Sequence, residues 1–221
     1  MTSLSRHALR PSALTDPTAP FHHTPPRWAV ICAALTPVVL TGTYLIAGTL
    51  QPASYDPIRQ TISAMAGYTG TDRWIMNGGI LLVGACYLLT AAGLTAIRTP
   101  ARVLLAIAGL AAIGVAASPE SVSGPSPQHL AWATLGAIII AIWPAFTARR
   151  ASPLPLILTT PGAAAVTIVF AVLLGWLFIE TRDGSVLGLA ERLTTSVLTC
   201  WPAVVAISLN RTKSGLPGPG R

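Results

Sequence analysis

Long apolar runs alternate with short polar breaks along most of this chain. Six of the runs approach or exceed the roughly 20 residues that a helix needs to cross the hydrocarbon layer of a membrane. Backbone polar groups inside a membrane must be satisfied within their own segment, which favours helices. The pattern therefore predicts an all-α, polytopic integral membrane protein with six transmembrane helices in a bundle. The predicted spans lie near residues 28–50, 74–97, 101–117, 129–146, 154–179 and 187–209.

The third predicted span differs from the others in length and composition. It is the shortest run and is rich in alanine. Small side chains let helices approach one another closely. We therefore expect this helix to sit inside the bundle rather than against lipid.

The composition agrees with a membrane protein and excludes an ordinary soluble domain. The chain is 52% hydrophobic and 10% charged, whereas soluble proteins are roughly 25% charged. Ten of the 14 Lys and Arg residues flank the chain ends and the second and fourth connections. Cytoplasmic loops carry the excess of basic residues, so we expect a multi-pass protein of the cell (plasma) membrane with both termini in the cytoplasm. The net charge of +7 then needs no nucleic acid partner.

The two ends of the chain differ from the apolar middle. Residues 1–27 are rich in Pro, Ser, Thr and His, and residues 211–221 contain several Gly and Pro residues. Neither end has the apolar content to form a core or a signal peptide. We predict two disordered cytoplasmic tails around a membrane domain of residues 28–210.

The first outer connection carries the pattern of a short helix. Asp56 is a suitable N-cap, Pro57 suits the first helical position, and Gly67 is a suitable stop. This predicts a short interfacial helix. In one interpretation, Asp56 only caps this helix and Arg59 meets lipid headgroups or a neighbouring carboxylate. In the other, Arg59 and Ser63, which lie four residues apart, face an outer pocket.

The other two outer connections supply further ionisable residues. Glu120 precedes His129, whose side chain suits a general base or a proton-coupled switch, or else simply lies at the water interface. Glu191 and Arg192 are adjacent and therefore point about 100° apart on a helix, so at least one should face the bundle. We expect the charged residues and His129 to converge on one outer cavity. The candidate outer polar site comprises Asp56, Arg59, Ser63, Glu120, His129, Glu191 and Arg192.

Several of these segments resemble a known family. They are Tyr55-Asp56-Pro57, Thr61-Ile62-Ser63-Ala64-Met65-Ala66, Trp74-Ile75-Met76-Asn77-Gly78-Gly79 and Gly188-Leu189-Ala190-Glu191-Arg192. Together they look like the prokaryotic six-span membrane family known as domain of unknown function 998 (DUF998). The resemblance implies a six-span membrane fold and brings no established activity. The architecture alone is also similar to that of membrane proteins of the Frag1 and DRAM kind.

The sequence leaves more than one class of function open. We expect a non-catalytic envelope or lipid-associated protein, with membrane lipids and a small lipid-like ligand as partners. The alternatives are a membrane-embedded hydrolase or transferase acting on a lipid or envelope precursor, or a small-solute transporter. Catalytic zinc normally takes three protein ligands, and the outer half offers one His and no Cys. We therefore expect no metal and no cofactor, and the oligomeric state stays open.

Overall fold

A computed structural model describes residues 24–148 and 156–214 of the chain. Within these residues the all-α fold is confirmed, and six of the helices are long and apolar enough to cross a membrane. Of the predicted tails, residues 1–23 and 215–221 lie outside the described residues, while the last helix continues through residues 211–214. The helices are α1 (Arg27–Thr49), α2 (Ile62–Ala66), α3 (Trp74–Gly93), α4 (Thr99–Ala117), α5 (Pro127–Thr147), α6 (Thr160–Asp183) and α7 (Leu187–Ser214).

The second span, α3, ends four residues earlier than the hydrophobic run suggests. Its last residue is Gly93, against which Ala29 of α1 packs closely. Arg102 of α4 donates hydrogen bonds from Nε to the Ala91 carbonyl (2.9 Å) and from Nη2 to the Ala92 carbonyl (3.1 Å). The last carbonyls of a helix have no partner within it, so Arg102 satisfies those that the early end leaves free.

The six long helices form a closed ring. They contact one another in the order α1, α3, α4, α5, α6 and α7, and α7 returns to α1. No long helix therefore occupies the centre among the described residues. The expectation that the Ala-rich third span sits inside the bundle is wrong, because α4 packs mainly against its ring neighbours α3 and α5, and 28% of its most apolar 18 residues are buried against 50% in α3 and in α7.

The small residues of α4 instead allow a close crossing with α3. A Cβ atom built on Gly84 would lie 2.7 Å from the Gly109 carbonyl oxygen, and one on Gly109 would lie 2.8 Å from the Gly84 oxygen. Contacts this short require glycine at both positions. The two backbones therefore touch directly at this crossing.

Three connections lie at one end of the ring, which we call the α2 end: residues 50–73, 118–126 and 184–186. The predicted short helix is present there, but it begins at Ile62 rather than next to Asp56. Thr61 is its N-cap and accepts a hydrogen bond from the Ala64 amide at 3.0 Å. The preceding residues form a separate turn, in which the Gln60 amide donates to the Asp56 carbonyl at 2.7 Å.

Candidate functional site

Arg192, in the first turns of α7, binds the backbone of the turn that precedes α2. Its Nη1 donates to the carbonyls of Pro57 (2.7 Å), Gln60 (2.8 Å) and Gly188 (2.9 Å), and its Nη2 donates to the Tyr55 hydroxyl. A continuing helix would use the Pro57 and Gln60 carbonyls for its own amides. The guanidinium takes them instead, which explains why the predicted helix is divided at this point.

Glu191 binds the start of α2 itself. Its Oε2 accepts a hydrogen bond from the Ile62 amide at 2.5 Å, and its Oε1 accepts one from the Ser63 hydroxyl at 2.9 Å. The first amides of a helix lack partners within it, so the carboxylate satisfies one of them. Glu191 and Arg192, although they point in different directions, therefore hold adjacent parts of the same connection.

Two further residues of α7 complete this attachment. The Leu189 amide donates to the Ile58 carbonyl at 3.0 Å. A Cβ atom on Gly188 would lie 2.6 Å from the Pro57 oxygen and closer still to that of Gln60, so only glycine fits. We call Gly188, Leu189, Glu191 and Arg192 the α7 clamp, because all four hold residues 57–63 against the start of α7.

Glu120 and His129 meet at the other end of α2. His129 Nδ1 lies 2.8 Å from the Ser118 carbonyl oxygen, which can only accept, so Nδ1 carries a proton. Its Nε2 lies 3.7 Å from Glu120 Oε1. The His129 side chain is 3% exposed and that of Glu120 15%. Burial raises the pKa of Glu120, and the neighbouring His129 offsets part of that rise.

Glu120 also contacts the chain just after α2. Its carbonyl accepts a hydrogen bond from the Tyr68 amide at 2.9 Å, and a Cβ atom on Gly67 would lie 3.1 Å from the Glu120 Cβ. Glu191, which binds the start of α2, is close enough to Glu120 for the two carboxyl groups to interact electrostatically. The connection 118–126 and the first turns of α7 therefore hold α2 from its two ends.

Asp56 and Arg59 lie on the surface. Asp56 Oδ1 accepts from the Ile58 amide at 2.9 Å, and its Oδ2 lies 3.7 Å from Arg59 Nε. The Arg59 side chain is 72% exposed. Of the candidate residues, the structure thus groups Ser63 with the α7 clamp and Glu120 with His129, and it leaves Asp56 and Arg59 as an exposed pair.

An apolar cavity of about 170 Å³ lies at the centre of the ring. All six long helices contribute to its lining, and Ile62 of α2 closes it towards the α2 end. Sequence reasoning missed this cavity, because a space that six helices line together depends on their packing and leaves no motif in any one of them. Its lining includes Leu40, Val83, Ala112, Ala137, Leu177 and Leu198, one from each span.

A second cavity, of about 190 Å³, lies at the α2 end. Its polar lining comes from the amides of Gln51 and Gln60 and the hydroxyls of Ser54, Tyr55 and Thr69. Met65 of α2 also lines it, whereas Ile62 lines the central cavity. The short helix α2 therefore contributes to both cavities.

The described residues contain no group of three or more His, Cys, Asp or Glu side chains that could hold a metal ion. Within the described residues, Glu120 and His129 form a pair and do not belong to a group of three such side chains placed to hold a metal ion. The chemistry that this arrangement offers is the binding of a proton and of neutral polar groups.

Comparison with known proteins finds a match to a protein family. No curated protein and no solved structure matches this chain. The model of a family described as "Protein of unknown function (DUF998)" matches residues 30–208, which include the α7 clamp and all but the outermost residues of the six spans. The chain is therefore an integral membrane protein that belongs to the DUF998 family.

Proposed function

We propose that this protein is a non-catalytic, lipid-binding protein of the plasma membrane, which holds an apolar part of its ligand in the central cavity. The observation that carries the proposal is the cavity of about 170 Å³ lined by residues of all six spans. An apolar cavity of about 150 Å³ in another protein binds one benzene molecule. A cavity of this size accommodates one six-membered ring or a short stretch of chain, rather than a whole lipid.

The wall formed by α4 and α5 supports entry of the ligand from the bilayer. Trp132 lines the cavity and is 39% exposed. Its ring lies over Gly114 of α4, where a Cβ atom would come within 2.6 Å of the Trp132 Cγ. We infer that the ligand enters beside this side chain.

The α2 end supports a polar contact for the same ligand. We infer that this end faces away from the cytoplasm, because the basic residues concentrate at the opposite end and at the termini. The α2-end cavity presents amide and hydroxyl groups there, which suit an uncharged polar headgroup. Oligomeric state does not enter this proposal.

The Glu120–His129 pair is the observation that favours the alternative, a hydrolase or transferase acting on a lipid precursor. Ser118 orients the imidazole so that Nε2 faces the carboxyl group, as in a general base. With His129 3% exposed, however, a substrate reaches Nε2 only if the surrounding chain moves. Recovery of the bound lipid chemically unchanged supports binding, whereas a cleaved lipid supports catalysis.

Photolabelling tests the binding proposal. The probe is a phosphatidylcholine with a diazirine in one acyl chain, incorporated into vesicles with the purified protein. We expect label on Leu198, which lines the cavity and is 4% exposed, as well as on Val172, which faces outward at 65% exposure. Label confined to exposed positions such as Val172 overturns the proposal.

Two substitutions, each replacing an alanine of α5 by phenylalanine, provide a matched pair for this experiment. Ala137→Phe fills the cavity, because Ala137 lines it. Ala131→Phe adds the same ring at an exposed position outside the lining. The first should abolish labelling of Leu198 while label on Val172 persists, and the second should leave both unchanged.

A further inference from the structure

The α2-end cavity lies between two segments of a single connection. Its lining comes from residues 51–60 on one side and from residues 64–70 on the other. The side-chain amide of Gln51 joins the two sides, because its Nε2 donates to the Thr71 carbonyl at 3.1 Å and its Oε1 accepts from the Thr71 amide at 3.1 Å. Bonds within the protein therefore set the width of this cavity before any ligand arrives.

Three polar groups of the lining keep hydrogen-bonding capacity that the protein does not use. The hydroxyls of Ser54 and Thr69 make no hydrogen bond within the described part of the chain. Gln60 accepts from the Asp56 amide through Oε1 at 3.1 Å, which leaves its Nε2 as a free donor. Ser54, Gln60 and Thr69 are all exposed, so a ligand reaches these groups directly. Because each hydroxyl both donates and accepts, the matching ligand carries groups that do the same.

Charged side chains are missing from the lining. Among the described residues that line this cavity, none is a Lys, Arg, Asp or Glu. Arg192 borders the cavity through Tyr55, but its guanidinium already donates to that hydroxyl and to three backbone carbonyls. A phosphate or an ammonium group would thus find no opposite charge to pair with, and taking an unpaired charge out of water is costly. The cavity therefore favours an uncharged ligand.

The size and the apolar part of the lining suit a single ring. The cavity has a volume of about 190 Å³, whereas a cavity of about 150 Å³ in another protein binds one benzene molecule. The difference leaves space for small substituents around a six-membered ring. Pro52, Ala64 and Met65 add apolar surface to the polar groups. A sugar ring matches both, since it carries hydroxyls around its edge and C–H groups on its faces.

The position of the cavity agrees with a lipid headgroup. It begins two residues after the end of α1 at Thr49. The 23 residues of α1 extend over about 35 Å at 1.5 Å per residue, and the hydrocarbon layer is about 30 Å thick. The end of α1, and the cavity beside it, therefore reach the level of the headgroups.

We propose that the α2-end cavity binds the neutral sugar headgroup of a glycolipid, whose hydroxyls form hydrogen bonds with Ser54, Gln60 and Thr69. A sugar is uncharged, fits as one ring and offers hydroxyls that both donate and accept. This inference rests on the proposed lipid-binding function and names the class of headgroup.

The test compares three lipids with the same acyl chains. Glucosyl diacylglycerol carries one neutral sugar, diacylglycerol lacks it, and phosphatidylcholine carries charged groups in its place. The full chain is placed in phosphatidylcholine nanodiscs that contain small, equal fractions of the other two lipids. Native mass spectrometry then measures which lipids remain bound to the released protein, relative to their fractions. We expect the glucosyl lipid to be retained about three- to tenfold more than diacylglycerol, the range expected for one net hydrogen bond.

Two variants remove single hydroxyls from the lining. Thr69→Val keeps the branched shape of the side chain, and Ser54→Ala shortens it by one atom. Each should lower the preference for the glucosyl lipid about two- to fivefold, and neither should unfold the protein, because both positions are exposed. Thr71→Val is the matched control, since Thr71 is exposed, belongs to the same connection and lies outside the lining. It should leave the preference unchanged.

Free glucose distinguishes a lipid headgroup from a soluble sugar. Acyl chains in the membrane hold the headgroup of a glycolipid beside the cavity and so raise its effective concentration. Millimolar free glucose should therefore leave the bound glucosyl lipid in place. Displacement of that lipid by millimolar glucose assigns the cavity to a soluble sugar and overturns the glycolipid inference.

The remaining outcomes separate this inference from the proposal beneath it. Equal retention of glucosyl diacylglycerol and diacylglycerol, or an undiminished preference in both Thr69→Val and Ser54→Ala, overturns the sugar headgroup while label on Leu198 still supports lipid binding. A loss of preference in Thr71→Val as large as that in Thr69→Val also overturns it. Absence of any bound lipid, together with photolabel confined to exposed positions, overturns both.

Discussion

Replacing Arg192 by methionine tests whether the α7 clamp holds the first connection of the α2 end. Methionine keeps an unbranched apolar stem of similar reach and removes every donor of the guanidinium. The change deletes the hydrogen bonds to the Pro57, Gln60 and Gly188 carbonyls and to the Tyr55 hydroxyl. The clamp should then open locally while the six spans stay folded.

The expected cost follows from these bonds. Hydrogen bonds to charged groups contribute about 1.5–3 kcal/mol each when buried, and solvent reduces that contribution at exposed positions. The bonds to Pro57 and Gln60 are exposed, whereas the bond to Tyr55 is partly buried. The bond to Gly188 stays within α7 and does not hold the connection. Taking about 0.5–1 kcal/mol for each of the two exposed bonds and about 1.5 kcal/mol for the bond to Tyr55 gives a total near 3 kcal/mol. This corresponds to roughly 100-fold more frequent local opening.

Hydrogen exchange followed by mass spectrometry measures that opening directly. The informative amides are those of Ile62, which donates to Glu191, and of Leu189, which donates to Ile58. Arg59→Met is the matched control, because Arg59 belongs to the same connection and is 72% exposed. The control should change stability by less than about 0.5 kcal/mol. Equal exchange of peptides 58–66 in the two variants would refute the reasoning.

Three further perturbations address the clamp, the Glu120–His129 pair and the orientation. Gly188→Ala should lower the melting temperature, at a cost of about 1–3 kcal/mol, because its Cβ would strike the Pro57 oxygen. Gly78→Ala has no atom within 4 Å of its Cβ and should be neutral or stabilising. Equal effects of the two substitutions would contradict the close packing at Gly188. Because burial raises the pKa of Glu120, the folded state retains that proton and loses stability as the pH rises from about 4.5 through the raised value. Glu120→Gln should therefore gain in melting temperature relative to the unmodified protein as the pH rises above about 4.5, and a constant difference would contradict this. A reporter that works only in the cytoplasm should be active when it is fused to the C-terminus of the protein. A silent reporter in cells with confirmed expression would exchange the cytoplasmic and outer ends of the bundle.

The six spans could be predicted from the sequence because the physics that creates them is local. Each run of apolar residues needs a helix wherever it crosses the membrane, whatever its neighbours are. Ends of spans were less predictable, because they depend on contacts from elsewhere. The early end of α3 at Gly93 is stabilised by Arg102 of the following helix, and no property of the α3 run itself indicates this.

The short helix α2 shows more clearly what could not be predicted from the sequence. Asp56 and Pro57 have the residue types of a helix start, and the turn from Asp56 to Gln60 does form. The helix does not continue through it because Arg192, more than 130 positions away, takes the Pro57 and Gln60 carbonyls. A signal was nevertheless present: a glycine near the start of a helix, here Gly188, often marks a close backbone approach. The sequence alone did not identify what approaches it.

The α7 clamp also connects the polar residues to the central cavity. Glu191 binds the amide of Ile62, and the side chain of Ile62 closes the cavity towards the α2 end. The sequence analysis assigned these charged residues to a site for an outer ligand. In the structure they instead position Ile62, an apolar residue of the cavity wall, through the backbone of α2. If the cavity binds a lipid as we propose, loosening the clamp should change how readily the ligand enters, even though no clamp side chain lines the cavity. Arg192→Met should then speed the labelling of Leu198 by the diazirine-bearing phosphatidylcholine, and an unchanged labelling rate in a variant whose α2 amides exchange faster would separate α2 from ligand entry.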